Sequence, residues 1–128
     1  MNLSSTPNFD VNGDNGNDTI IITNSFVDAL RGDSNQSSSL EGNDVITITG
    51  STVRQNISLG DGNDLLTASD SVIGGTIFSR NGSLGNNTVN LTNVTGVNSI
   101  QLDDGNDVVT LVNAELSGSV TLGDGLIS

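Results

Sequence analysis

The chain has 128 residues and a formal charge of −12, with three cations (Arg31, Arg54, Arg80) against fifteen carboxylates. That balance repels nucleic acid and anionic membrane surfaces and favours multivalent cations. His, Cys, Lys, Trp and Tyr are absent and aromatics make up 2%, which removes the usual bases and nucleophiles, argues against an enzyme, and leaves too little bulk for a broad globular core.

In chain order, residues 1–9 form an N-terminal extension with no charged start and no apolar run, so no cleavable signal peptide is expected there. No segment reaches transmembrane length, so membrane insertion is not expected. From Asp10 a repeat sets in. Gly-Asn-Asp recurs at Gly16, Gly42, Gly62 and Gly105, with Gly-Asn-Asn at Gly85 and a truncated copy at Gly125, at intervals of 26, 20, 23, 20 and 20 residues. A fixed period of this kind points to a solenoid, and the two longest intervals before Gly85 would absorb insertions.

Four and six residues after each Gly stand Ile20/Ile22, Ile46/Ile48, Leu66/Ala68, Val89/Leu91 and Val109/Leu111, with mostly polar residues between them. That alternation is a strand with one buried face. A second pair follows at Ile57/Leu59, Ile100/Leu102 and Val120/Leu122; in the third coil Ile77 takes the first place and Leu84 is expected in the second. Val53, Val72, Val94/Val97 and Leu116 suggest a short middle strand, and the polar stretch near 31–39 reads as an excursion loop. Low hydrophobicity with high charge is also the composition of disorder. The periodicity argues for order: an all-β parallel β-solenoid over residues 10–128, about 20 residues per coil, five to six coils, with no significant helix. At about 4.8 Å per coil the rod would be on the order of 25 Å long.

The corners between coils read Gly13-Asp14-Asn15-Gly16-Asn17-Asp18, Leu40-Glu41-Gly42-Asn43-Asp44, Gly60-Asp61-Gly62-Asn63-Asp64 and Asp103-Asp104-Gly105-Asn106-Asp107. Glycine permits the positive φ of a tight corner, and stacking would bring the Asp of one coil beside that of the next. Two carboxylates about 5 Å apart repel by about 1 kcal/mol in water, and more in a partly dry corner. Calcium takes six to eight oxygens in irregular geometry, so carbonyls and carboxylates of adjacent corners suit it, and binding would be coupled to folding.

These corners resemble the repeats-in-toxin nonapeptide Gly-Gly-x-Gly-x-Asp-x-U-x, with Ile20, Ile46, Leu66 and Val109 at the apolar U position. Period and corner together resemble the calcium-dependent solenoid modules of giant bacterial adhesins. The resemblance implies Ca²⁺ between successive coils. The expected metal-site residues are Asp14, Asp18, Glu41, Gly42, Asp44, Gly60, Asp61, Gly62, Asp64, Asp103, Asp104, Gly105, Asp107 and Asp124. Asp18, Asp44 and Asp64 form an unbroken run, whereas Asn87 replaces the carboxylate in the fourth coil, so calcium is expected to be weak or absent beside it.

Three other readings are weaker. Asp10-Val11-Asn12-Gly13-Asp14 begins like an EF-hand loop, but Asn15 stands where Gly is needed and Ile21 where Glu is needed. Acid pairs could cleave glycosides, yet the corners account for the acids and only Phe9, Phe26 and Phe78 could stack on sugars. Ice binding is the main alternative: the outward positions read Ile21/Thr23, Thr47/Thr49, Thr67/Ser69, Asn90/Thr92 and Thr110/Val112, largely threonine. Ice-binding relatives of the adhesin modules carry Thr in the corner, where this chain has Glu41, Asp61, Asp104 and Asp124.

No capping helix is visible, and an uncapped parallel solenoid has open edges that head-to-tail stacking would continue. The expectation is an extracellular or cell-surface structural module, secreted by a route without a cleavable signal. It would associate with itself as a surface or biofilm-matrix filament, or with neighbouring repeats in a large adhesin.

Overall fold

The structure is a computed structural model that describes residues 9–33, 42–79 and 85–123 and the strand at 126–127. Fourteen strands run in chain order among the described residues: β1 (Val11–Asn12), β2 (Thr19–Thr23), β3 (Phe26–Val27), β4 (Leu30–Arg31), β5 (Val45–Thr49), β6 (Thr52–Val53), β7 (Ile57–Ser58), β8 (Leu65–Ile73), β9 (Ile77–Phe78), β10 (Thr88–Val97), β11 (Ile100–Gln101), β12 (Val108–Leu116), β13 (Val120–Thr121) and β14 (Leu126–Ile127). No helix occurs among the described residues. Every pairing is parallel.

Two sheets form the walls of a parallel β-solenoid of about five turns. One follows the order β2-β5-β8-β10-β12-β14 and the other β1-β4-β7-β9-β11-β13. The register obeys the repeat: Ile20 pairs with Ile46, Ile46 with Leu66, Leu66 with Val89, Val89 with Val109, and Val109 with Ile127. Each coil lies on the next with like side chains aligned, so the interior becomes columns of aliphatics. Ile22, Leu30, Ile46, Ile48, Ile57, Leu59, Leu66, Ile73, Ile77, Leu91 and Ile100 are all fully buried. A core this narrow works because each coil covers the apolar row of its neighbour.

Three details of the coil differ from expectation. The place in the third coil assigned to Leu84 belongs to Ser79, which lies in register with Leu102; Leu84 itself is outside the described residues. Ser79 is buried, and its hydroxyl accepts the amide of Asp103 at 2.9 Å. Val72 points outward at 43% exposure, while Ile73 turns inward against Val53. The backbone bend at Asp70, with φ of 50°, shifts the alternation before it resumes. Arg31, placed at the start of the excursion, instead ends β4, and Gly32 and Asp33 continue the coil; residues 34–41 lie outside the described residues.

The bend itself recurs. Asn24, Gly50, Asp70, Asn93 and Asn113 all have φ between 47° and 57°, a left-handed conformation that Asn, Asp and Gly adopt most readily. The Asn93 amide donates to Asp70 at 2.9 Å and the Asn113 amide to Asn93 at 3.2 Å, so part of this column is also tied together. Just inside it, Ser51 Oγ accepts the Ser25 amide at 3.0 Å and Ser71 Oγ accepts the Ser51 amide at 3.1 Å.

The two faces of the bend give a direct check. Ile73→Ala should cost about 2–5 kcal/mol of unfolding free energy, and Val72→Ala less than about 0.5 kcal/mol, measured by chemical denaturation under the same conditions. The reverse ranking would mean that the chain crosses the bend in the other phase.

Candidate metal centre

Each Gly-Asn-Asp corner contributes three stacked columns. The glycines come first: a Cβ on Gly42, Gly62, Gly85 or Gly105 would overlap the carbonyl of the corner glycine one coil earlier. No other residue lets the coils approach this closely. The asparagines come next, and sequence reasoning gave them no role. Asn17 Oδ1 accepts the Asn43 amide at 2.7 Å, Asn43 that of Asn63 at 2.8 Å, Asn63 that of Asn86 at 2.7 Å, and Asn86 that of Asn106 at 2.8 Å. The ladder therefore runs from each side chain to the following coil.

The third column runs the opposite way. Asp44 Oδ1 accepts the Asp18 amide at 2.8 Å, Asp64 that of Asp44 at 2.9 Å, Asn87 that of Asp64 at 3.0 Å, and Asp107 that of Asn87 at 2.7 Å. One oxygen of the Asp44, Asp64 and Asp107 carboxylates is thus satisfied by backbone. The other is not: Oδ2 of Asp18, Asp44, Asp64 and Asp107 is buried with no hydrogen-bond partner. Asp44, Asp64 and Asp107 are at most 2% exposed. A Cβ built on Gly13 would lie 2.9 Å from Asp18 Oδ2, and one on Gly32 would overlap Asp44 Oδ2. These carboxylates therefore reach across the narrow corner towards the end of the preceding short strand.

Burial pushes the Asp64 carboxyl up from 3.8 to about 8, with Asp44, Asp33 and Asp61 adding to the rise and the Asp44 amide opposing it. Asp44 is raised chiefly by burial, then by Asp18. Asp107 is raised by burial too, against the amide and side chain of Asn87 and with the help of Asp103 and Asp104. Asp33, which was counted in the excursion, is pushed up to about 6 by burial and by Asp44.

The remaining expected ligands fall outside this inner column. Asp14 is exposed at φ 77°, its amide bonded to Asn12 Oδ1 at 3.3 Å. Asp104 is exposed, and Asp61 and Asp103 are half-buried. Asp61 donates its amide to Asp33 Oδ2 at 3.1 Å. Gly42, Gly60, Gly62 and Gly105 line the same edge, and Glu41 and Asp124 lie outside the described residues. Two arginines bond elsewhere: Arg31 to Asp10 at 3.9 Å and Arg54 to Asp28 at 3.5 Å.

Among the described residues, no three acidic side chains converge on one point. A cation here would take one or two carboxylates and complete its shell from carbonyl oxygens or water. Calcium tolerates that donor set, because it accepts irregular all-oxygen coordination. The orphaned buried oxygens are the feature that fits it. Compared with known proteins, the chain matches no family model, no curated protein and no solved structure.

The raised carboxyls fix a sign for the metal-free protein. Asp33 and Asp64 hold their protons more tightly when folded, at about 6 and about 8 against 3.8. Their contribution is complete below the unfolded value and is lost as pH rises through the folded ones. Thermal melts without divalent metal should give a higher melting temperature at about pH 5 than at about pH 8.5, and Asp64→Asn should flatten the upper part of that dependence. A melting temperature that rises over this range would contradict the burial of these groups.

Proposed function

We propose that the chain is a calcium-stabilised structural module, held together along one edge by Ca²⁺ between stacked acidic corners. The observation that carries it is the row of buried, unpartnered Oδ2 atoms on Asp18, Asp44, Asp64 and Asp107. A buried polar atom without a partner costs about 1–3 kcal/mol, more when charged. A proton would neutralise each carboxylate but would add an O–H donor that needs an acceptor of its own. A divalent cation answers both the charge and the empty lone pairs. Asp18, Asp44 and Asp64 would supply the inner carboxylates, with Asp61 at the same edge; Asp107 with Asp103 and Asp104 would serve the next interval. Asn87 removes one charge from the column, so the intervals beside it would bind more weakly.

An extracellular or cell-surface setting suits such a module, because millimolar calcium keeps weak sites filled there. The parallel ladders also suit continuation by a neighbouring repeat or a second copy, as in a filament or a large adhesin. β2 and β1 end their sheets on one side and β14 and β13 on the other, so a further coil could add to either end by ordinary strand pairing.

Ice binding through the long-strand sheet is a second reading, favoured by one observation. The outward residues of β2, β5, the first half of β8, β10 and β12 form three ranks, aligned by register: Thr19/Val45/Leu65/Thr88/Val108, Ile21/Thr47/Thr67/Asn90/Thr110 and Thr23/Thr49/Ser69/Thr92/Val112. None is charged, on a chain of net charge −12. A regular, charge-free threonine face would suit an ordered water lattice, and the absence of thermal hysteresis would remove this reading.

At calcium about 100-fold above Kd each site should add about 2.7 kcal/mol, raising the melting temperature by roughly 10 °C. Asp64→Ala should remove at least one equivalent in calorimetric titration, while Asp14→Ala should leave the stoichiometry unchanged. Unaltered binding in Asp64→Ala would count against the assignment.

A further inference from the structure

The excursion coil carries an acidic group, Asp33, where the next coil has Gly60. In register, Leu30 pairs with Ile57 and Arg31 with Ser58, which sets Gly32 beside Leu59 and Asp33 beside Gly60. Every other described corner has no carboxylate at the equivalent of Asp33 except Asp14 and Asp103, and Asp14 is exposed to solvent. Asp33 instead lies over the bare backbone of the next coil: a Cβ on Gly60 would come within 2.6 Å of its Cβ and Oδ2. Its Oδ2 accepts the Asp61 amide at 3.1 Å, and its Oδ1 is buried with no hydrogen-bond partner.

A second carboxylate lies against Gly32, the residue before Asp33. Asp44 is 1% exposed, its Oδ2 has no partner, and that oxygen faces the Cα of Gly32, the residue preceding Asp33. Glycine at 32 leaves room for this oxygen, since a Cβ there would overlap Asp44 Oδ2. Two buried, unpartnered carboxylate oxygens thus belong to one corner, that of Asp44 against the backbone of Gly32 and that of Asp33 on a side chain lying against Gly60, and two like charges so placed repel until a cation joins them.

We infer that Asp33 and Asp44 together form a divalent-cation site, with calcium the ion that their oxygen-only donors suit, in the corner between the excursion coil and the coil of Asp61–Asp64. The inference rests on the calcium reading proposed above and adds to it a carboxylate that the corner of the following coil does not carry. Gly60 matters to the site because it leaves room for the Asp33 side chain. The interval containing Asp33 is the one that fills first, ahead of those flanked by Asn87.

Asp33→Asn tests this, because the amide oxygen can still accept the Asp61 amide while the charge is lost. Asp70→Asn is the control: it makes the same charge change at an exposed bend. The full chain, stripped of metal, would be titrated with CaCl₂ by calorimetry and melted with EDTA or with calcium. The wild type and Asp70→Asn should bind alike, and Asp33→Asn should lose one equivalent or weaken the tightest site by about tenfold or more. Asp33→Asn should also melt higher than wild type in EDTA, where an uncompensated buried charge is gone, and lower in calcium. A purely structural Asp33 would lower the melting temperature in both. Calcium binding by Asp33→Asn equal to wild type would overturn the site while leaving the other corners standing; no binding by the wild type would overturn both.

Discussion

Stacking identical coils forces chemically identical side chains into line about one strand spacing apart, close to 4.8 Å. For most residues here that repetition is favourable. Isoleucines cover isoleucines, and each asparagine oxygen receives the amide of the next asparagine. For aspartate it is not, because a column of buried carboxylates repeats a charge as faithfully as it repeats a contact. Half of the Asp44, Asp64 and Asp107 carboxylates is satisfied by the amide of the preceding coil, and half is left bare. The rest of the structure depends on how that half is neutralised.

The difference between neighbours in Gly-Asn-Asp makes the point. Asn17, Asn43, Asn63, Asn86 and Asn106 close a ladder that needs nothing from outside. Asp18, Asp44, Asp64 and Asp107 build a similar ladder in the other direction and remain incomplete. Asparagine at every corner would have given a self-sufficient spine, as Asn87 demonstrates by fitting the column without strain on its register. Retaining aspartate leaves an ionisable edge, the one at which the proposed cation would bind. The interior is thin enough to feel this: its buried side chains are aliphatic, in single columns. Such a core offers little reserve against several uncompensated buried charges.

Much of this architecture was legible in the sequence because a solenoid writes its period into the chain. The spacing of the corner glycines placed Ile20, Ile46, Leu66, Val89 and Val109 in one row, and the strand pairing has the same register. What escaped lay where the period is locally disturbed. The sequence groups Val72 with Val53 in a short middle strand without fixing its face; the left-handed Asp70 changes the phase there, and a slip of one residue flips a strand side chain to the other face. The signal was present: eight residues after each corner glycine stand Asn24, Gly50, Asp70, Asn93 and Asn113. Ser79 was overlooked because a buried polar residue does not mark an apolar row. Asp33 was hidden in the excursion, since only the pairing of β4 with β7 reveals that it stands beside Gly60. The asparagine ladder went unread because Asn is common in turns for many reasons.

The most direct measurement is far-ultraviolet circular dichroism of the purified chain at neutral pH, in excess EGTA and then with calcium restored. If bridged acidic corners hold this solenoid together, chelation should abolish or sharply weaken the β signal and its cooperative melt, and calcium should bring both back. An unchanged spectrum and melting temperature in EGTA would contradict the account at its centre.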